Sequence, residues 1–130
     1  MTKPNREILK NIYLIMPVRN ADVNQHAACK AYCDTLESQG HIVHFPPRDA
    51  PQEDPTGARI CDVHRAAMER ADEVHVLWDV ESKGSHFDLG MAYALRKPII
   101  PVGAPVHPVV PGKSYWAAII APAHTALSDA

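Results

Sequence analysis

The chain has 130 residues, of which 46% are hydrophobic and 22% are charged, and its formal net charge is −2. This length and composition fit one globular domain that can bury a core without disulfide or metal support. The near-neutral charge argues against nucleic acid and membrane partners, which select basic surfaces. No apolar run approaches the roughly 20 residues of a transmembrane helix, and the polar amino terminus lacks a signal-peptide segment. We expect one domain over residues 1–130 in the cytoplasm, with about ten loose residues at the start and about eight at the end.

The cysteines and histidines show no metal-ligand spacing. Cys29 and Cys33 lie one helical turn apart, as two small apolar side chains on one helix face do, and there is no CxxC pair with Cys61. His41 and His44 lie three residues apart in a predicted strand and therefore face opposite sides. We expect neither a disulfide nor a metal site.

Taken in chain order, short apolar runs alternate with segments of helical periodicity. The first helix is expected to begin after Asp22 and to end at Gly40. The proline-rich stretch 48–57 is expected to be a loop, and 113–120 is a further candidate helix. The expected strands are 11–17, 41–45, 73–79 and 98–102. The expected helices are 22–39, 58–71 and 85–96.

This alternation predicts βαβ units and hence an α/β domain, a parallel sheet with helices on both faces. In such sheets a ligand binds beyond the carboxyl ends of the strands, where the strand order reverses. With the order 2-1-3-4, that crevice lies between strands one and three. It receives residues 16–20, residues 79–85 and the start of the helix that follows.

Asp88 is the only charged residue between Phe87 and Leu95, in a helix that is apolar nearly all round. A helix of this kind is buried on several sides, for example between the sheet and another subunit. One interpretation is local, since Ser85-x-x-Asp88 resembles a capping box that satisfies the helix start. The other is functional, since an ionised carboxylate at the mouth of the crevice can attack an electrophilic carbon. The two interpretations are compatible.

Four further segments have a distinctive order. They are the first strand Ile12-Tyr13-Leu14 with Pro17, the helix and ADEV strand of 62–77, GSHFDLGMA at 84–92, and KPII at 97–100. Together they resemble the nucleoside 2-deoxyribosyltransferase family and the related 2′-deoxynucleoside 5′-phosphate N-hydrolases. The resemblance implies a flavodoxin-like (Rossmann-like) α/β fold, a homodimer or larger homo-oligomer, no cofactor, and a small-molecule nucleoside or nucleotide as the partner. It also implies cleavage of an N-glycosidic bond through a covalent deoxyribosyl intermediate on a Glu carboxylate.

The resemblance assigns catalytic candidates position by position. The family's nucleophilic Glu falls on Asp88, whose shorter side chain withdraws the carboxylate by about 1.5 Å. The family's helix Asp falls on His64, with Asp62 two residues away as its alternative. Asp79, at the end of a strand, is a further acid or base candidate.

The resemblance also assigns substrate-binding candidates. Ser82 stands where the hydrolases carry a phosphate-binding Ser, and Arg19 matches an Arg that they use near the phosphate. Ser85 and Gly84 add hydroxyl and backbone N–H donors at a helix start. Met16 replaces a family Gly and narrows the site. Tyr13 and Met91 complete the set, with core packing as the alternative for each.

Three hypotheses follow. The first is a deoxyribosyltransferase or N-glycosidase in which Asp88 is the nucleophile. The second is a non-catalytic nucleotide-binding or sensing module on the same fold, suggested by the changes at Asp88, His64 and Met16. The third is a module for another ligand or a structural partner. Flavin is not expected, because the loop after the first strand, residues 17–20, lacks the Ser and Thr residues of a flavin phosphate loop.

Overall fold

A parallel sheet lies at the centre of the computed structural model, which describes residues 8–18, 21–50 and 53–102. Its strands are β1 (Asn11–Ile15), β2 (Ile42–His44), β3 (Glu73–Val76) and β4 (Ile99–Pro101). Their spatial order is β2-β1-β3-β4, and each neighbouring pair is parallel. The parallel sheet predicted from the sequence is thereby confirmed, and the strand order is the one on which the expected place of the crevice depends.

Helices cover both faces of this sheet, as crossovers between parallel strands require. The helices are α1 (Val23–Ser38), α2 (Pro46–Asp49), α3 (Ala58–Arg70) and α4 (Lys83–Ala94). Helix α1 packs on one face, and α3 and α4 pack on the other. The predicted α/β architecture is confirmed. No helix in the described residues is long and apolar enough to cross a bilayer.

The side chains of β1 divide the core into two layers. Alternate residues of a strand point to opposite faces, so Tyr13 and Ile15 pack against α3 and α4, whereas Ile12 and Leu14 pack against α1. All four are buried, as expected for a central strand covered on both faces. Tyr13 is the one of these four that carries a polar group, and its hydroxyl therefore needs a partner inside the layer of α3 and α4.

The ends of α1 follow the predicted capping. The Asp22 carboxylate accepts a hydrogen bond from the backbone N–H of Gln25, and the Gln25 side chain accepts one from the N–H of Asp22. At the other end, Gly40 has a φ of +95°, which a residue with a Cβ adopts only with strain. Asp22 and Gly40 therefore set the length of α1, as the sequence predicts.

Two local predictions are wrong. The first two residues of the stretch 48–57, predicted as a loop, belong to a single helical turn, α2, because Pro46 stands in its first turn and the Asp49 carboxylate accepts a hydrogen bond from the N–H of Phe45. Helix α4 begins at Lys83, before the predicted start at residue 85. Its first turn is capped by the Ser82 hydroxyl. The predicted candidate helix 113–120 and the loose ends of the chain lie outside the described residues.

Candidate active site

Asp88 lies in the second turn of α4 and is directed into the core layer between α4 and the sheet. Only 8% of its surface is exposed, and its Oδ2 accepts a hydrogen bond of 2.9 Å from the hydroxyl of Tyr13. Leu89 and Ala92, on the same helix, pack in this layer beside Tyr13. The capping role predicted for Asp88 is wrong, because Ser82 caps the helix and the Asp88 carboxylate bonds to β1.

Burial controls the ionisation of Asp88 and Tyr13. Loss of solvent raises the pKa of Asp88 to about 7, and the hydrogen bond from Tyr13 offsets only part of that shift. Burial and the neighbouring carboxylate also raise the pKa of Tyr13 well above its ordinary value. Tyr13 therefore remains a phenol that donates, and Asp88 changes charge near neutral pH.

Two partly buried imidazoles complete what we call the buried cluster, defined as Tyr13, His44, His64 and Asp88. His44 is the last residue of β2 and pairs in register with Tyr13. Its ring stacks on the Tyr13 ring at a centroid distance of 5.0 Å and an interplanar angle of 26°. His64, on α3, meets the same ring edge-on at 5.9 Å. His44 Nε2 and His64 Nδ1 lie 3.1 Å apart, so one nitrogen donates a hydrogen bond to the other.

Both imidazoles are held neutral. Burial, followed by the proximity of His64, lowers the pKa of His44 to about 4. Burial also lowers the pKa of His64. Because two adjacent imidazolium ions repel each other, the pair carries no net charge at pH 7.

An open cleft of about 480 Å³ reaches this cluster from the side of β2. It lies between β2, α2 and α3, and His44 forms part of its wall with Arg48, Asp49, Val63 and Arg70. The ring of His44 therefore stands between solvent in the cleft and the buried Tyr13. Asp88 is not among the residues that line this cleft.

The start of α4 holds the predicted phosphate-binding residues. The Ser82 hydroxyl accepts a hydrogen bond from the N–H of Ser85 at 3.2 Å, and Gly84 is exposed in the same turn. The Ser85 hydroxyl oxygen is buried and has no hydrogen-bond partner within the described part of the chain. Free N–H groups and the helix dipole make this end of α4 electropositive. Arg19 lies outside the described residues.

The structure separates two acid candidates from the buried cluster. The Asp62 side chain is 75% exposed on α3 and lies 4.0 Å from the Arg65 guanidinium. Asp79 follows β3, where its carboxylate accepts hydrogen bonds from the Gln25 side chain at 3.2 Å and from the N–H of Glu81 at 2.9 Å. Asp79 thus ties α1 to the loop before α4.

The two methionine candidates lie on opposite faces of the sheet. Met16 is buried in the layer against α1, away from the face that holds Asp88. Met91 is partly buried and packs on the layer that contains Tyr13. Of the predicted site residues, Asp88, His64 and Tyr13 are the ones that the structure brings together in the buried cluster.

Sequence reasoning assigned no role to His44. The signal that would have found it is the predicted strand order, because the carboxyl ends of neighbouring parallel strands meet at one edge of the sheet. His44 ends the strand beside β1, and register pairing places it against Tyr13.

One metal-ligand group stands out in the described part of the chain, away from the buried cluster. Ligand atoms of Cys33, Asp34 and Glu37 lie within 4.8 Å of one another on α1. Lys30 already pairs with Asp34 at 2.7 Å, and Arg48 pairs with Glu37 at 3.0 Å. Both carboxylates are therefore neutralised by cations of the protein itself.

Comparison with solved structures shows what this chain resembles. The chain is similar to the solved structure of a 2-deoxyribosyltransferase from the psychrotolerant bacterium Bacillus psychrosaccharolyticus. The sequences are 23% identical, 69% of each chain is covered, and the TM-score is 0.57. The two chains share a fold. No family profile and no curated protein sequence matches this chain.

Proposed function

We propose that this protein cleaves the N-glycosidic bond of a deoxynucleoside or a deoxynucleoside 5′-monophosphate, with Asp88 as the nucleophile. The observation that carries the proposal is the buried Asp88 carboxylate, held at 2.9 Å by Tyr13 beside two neutral imidazoles. The fold shared with a 2-deoxyribosyltransferase supports it, as does the sequence resemblance to that family.

In the first step, Asp88 forms a bond to the anomeric carbon of the sugar while the bond to the base breaks and its electrons leave with the base. Tyr13 binds Oδ2, which leaves Oδ1 for the attack. The burial that raises the pKa of Asp88 to about 7 also makes the ionised carboxylate a stronger nucleophile. His64 is the acid that protonates the departing base.

In the second step, water or a second base attacks the deoxyribosyl ester and frees Asp88. Two displacements at one carbon give net retention of configuration. Water gives hydrolysis and an incoming base gives transfer. When the substrate carries a 5′-phosphate, we propose that the start of α4 binds it through Ser82, Ser85 and the N–H of Gly84, with Arg19 as the counter-charge.

The test is a panel of deoxynucleosides and their 5′-monophosphates, with free base measured by chromatography. Wild-type protein should release base at pH 8, and Asp88→Ala should release none. Acid-quenched wild-type protein should carry the deoxyribosyl ester on the peptide that contains Asp88. Asp34→Ala removes an exposed carboxylate of α1 and serves as the matched control, with activity within twofold of wild type.

Asp88→Glu tests the length of the nucleophile. Restoring the missing methylene moves the carboxylate by about 1.5 Å, and a shift of that size changes rates on the order of a hundredfold. If both the wild-type protein and Asp88→Glu leave every substrate intact, the proposed reaction is wrong.

The position of Asp88 also favours a second candidate, a nucleotide-binding module without turnover. A carboxyl group that is 8% exposed and hydrogen-bonded to Tyr13 is suited to hold a sugar hydroxyl as well as to attack a carbon. This candidate predicts that deoxynucleoside monophosphates raise the melting temperature while no base is released. The resemblance further supports a homo-oligomer as the functional unit.

A further inference from the structure

His44 is the residue of the buried cluster that the proposed reaction has not yet used. It ends β2, stacks on Tyr13 and forms part of the wall of the 480 Å³ cleft. Its Nε2 lies 3.1 Å from His64 Nδ1. His44 is therefore the member of the cluster that lines this cleft and also contacts His64.

We propose that His44 and His64 form a two-imidazole proton relay that carries a proton from cleft solvent to the departing base and returns one during ester hydrolysis. The proposal rests on the proposed function and deepens it, because it assigns the source of the proton and gives His44 a part in its transfer. The inner nitrogens, His44 Nε2 and His64 Nδ1, are joined to each other. The outer nitrogens, His44 Nδ1 and His64 Nε2, are the two ends of the relay.

The protons balance in both steps. At the start, each ring is neutral and carries its proton on Nε2. As the glycosidic bond breaks, the base takes the proton of His64 Nε2, His64 Nδ1 takes the proton of His44 Nε2, and His44 Nδ1 takes a proton from an acid in the cleft. Each ring ends neutral with its proton on Nδ1. When water attacks the ester on Asp88, its proton goes to His64 Nε2, the transfers reverse, and His44 Nδ1 returns a proton to solvent.

The groups around His44 and His64 favour proton transfer between neutral rings over a stable imidazolium ion. His44 faces Arg48 and Asp49 from α2, Arg70 and His64 from α3, and Tyr13 from β1. Arg48 pairs with Asp49, and the Arg70 cation further lowers the pKa of His44. A cation beside the imidazoles disfavours imidazolium, whereas a shift of protons along neutral rings creates no charge. Stacking on Tyr13 holds the His44 ring in the orientation that the relay needs.

The experiment uses His44→Phe and His44→Ala in the full chain with the best deoxynucleotide of the panel. Phe keeps a ring to stack on Tyr13 but removes both nitrogens. We expect each variant to lower kcat by about 100-fold, the scale of lost acid–base catalysis. Added imidazole should restore much of the rate to His44→Ala and none to His44→Phe, whose ring fills the space. His41→Ala, at the same cleft but with its Nδ1 hydrogen-bonded to the N–H of Lys10, is the matched control and should stay within twofold of wild type.

Two isotope measurements distinguish proton transfer through His44 from a purely structural role of that residue. In mixtures of H₂O and D₂O, the wild-type rate should depend on deuterium content along a curve, since several protons move together, and the His44→Phe rate should depend on it linearly. Nitrogen-15 spectra of the imidazoles at pH 7 should show two neutral rings. If His44→Phe keeps the wild-type rate while Asp88→Ala is inactive, or if either ring carries two protons at pH 7, the relay is wrong and the proposed function stands. If wild-type protein cleaves nothing, the proposed function fails and the relay fails with it.

Discussion

Asp88 shows how one buried carboxylate opposes folding. A carboxyl group loses solvation on burial, and the single hydrogen bond from Tyr13 does not replace it. Its pKa in the fold is about 7, against an ordinary value of 3.8. The folded state therefore binds the proton more tightly than the unfolded state. Stability contributed by this group is present below about pH 4 and is lost as the pH rises to 7, by about 4 kcal/mol from the linkage relation.

The first prediction concerns Asp88→Asn. The amide oxygen still accepts the hydrogen bond from Tyr13, while the buried charge is removed. We expect the free energy of unfolding to rise by about 1–3 kcal/mol at pH 8, where Asp88 is charged, and to change little at pH 4, where it is neutral. The rise at pH 8 is limited because the buried amide N–H groups offset part of the gain. Urea unfolding at both pH values measures this. Equal effects of the substitution at pH 4 and pH 8 would contradict the linkage.

The second prediction concerns Tyr13→Phe and the pH dependence of the reaction. Wild-type activity should rise with pH through about 7, as Asp88 ionises. Tyr13 donates to the charged carboxylate and so lowers the pKa of Asp88. Without that bond, the midpoint of the pH–rate profile should move up by about one pH unit. An unchanged midpoint with a reduced maximum would show that Tyr13 acts on the substrate instead.

At the scale of single elements, two glycines give a matched test of backbone conformation. Gly40 ends α1 at a φ of +95°, and a Cβ there would meet Leu9 Cδ2 at 3.0 Å. Gly90 lies inside α4, with open space around the position of its Cβ. We expect Gly40→Ala to lower the free energy of unfolding by about 1–2 kcal/mol and Gly90→Ala to raise it by about 0.5–1 kcal/mol. Urea denaturation measures both, and the same sign for the two variants would refute the interpretation.

The sequence predicts the existence and order of the elements well and their ends less well. The strand predicted to reach residue 79 ends at Val76, because its partner β4 ends at Pro101 opposite that residue. Leu77 and Trp78 remain apolar and partly buried against the two core layers, so hydrophobicity continues after the ladder stops. The spacing Ser85-x-x-Asp88 predicts that Ser85 caps α4. Ser82-x-x-Ser85 has the same spacing, and in the structure Ser82 is the residue that caps the helix.

At the scale of the whole molecule, the sheet explains both what the sequence predicts and what it misses. Helical and strand periodicity are local, so the elements and their layers follow from the sequence, whereas the order β2-β1-β3-β4 depends on which strands pair in the fold. The His44–His64 contact joins β2 to α3 through strand register, which periodicity does not encode. The turn of Asp88 toward Tyr13 likewise depends on the rotation of α4 against the sheet.

The last prediction concerns self-association through the outer face of α4. Leu89 and Ala92 face the sheet, whereas Phe87 is 56% exposed on a helix with few polar side chains. Because the resemblance implies a homo-oligomer, we expect the protein to sediment as a dimer or larger species and Phe87→Ser to shift it toward the monomer. Val23→Ser, an apolar side chain 84% exposed on α1 across the sheet, is the control and should leave the assembly intact. Sedimentation velocity across a concentration series measures the mass. The two variants should differ because apolar contact is expected at the face of α4 and not at that of α1. If the wild-type protein is a monomer, or if both variants dissociate it equally, α4 is not the interface.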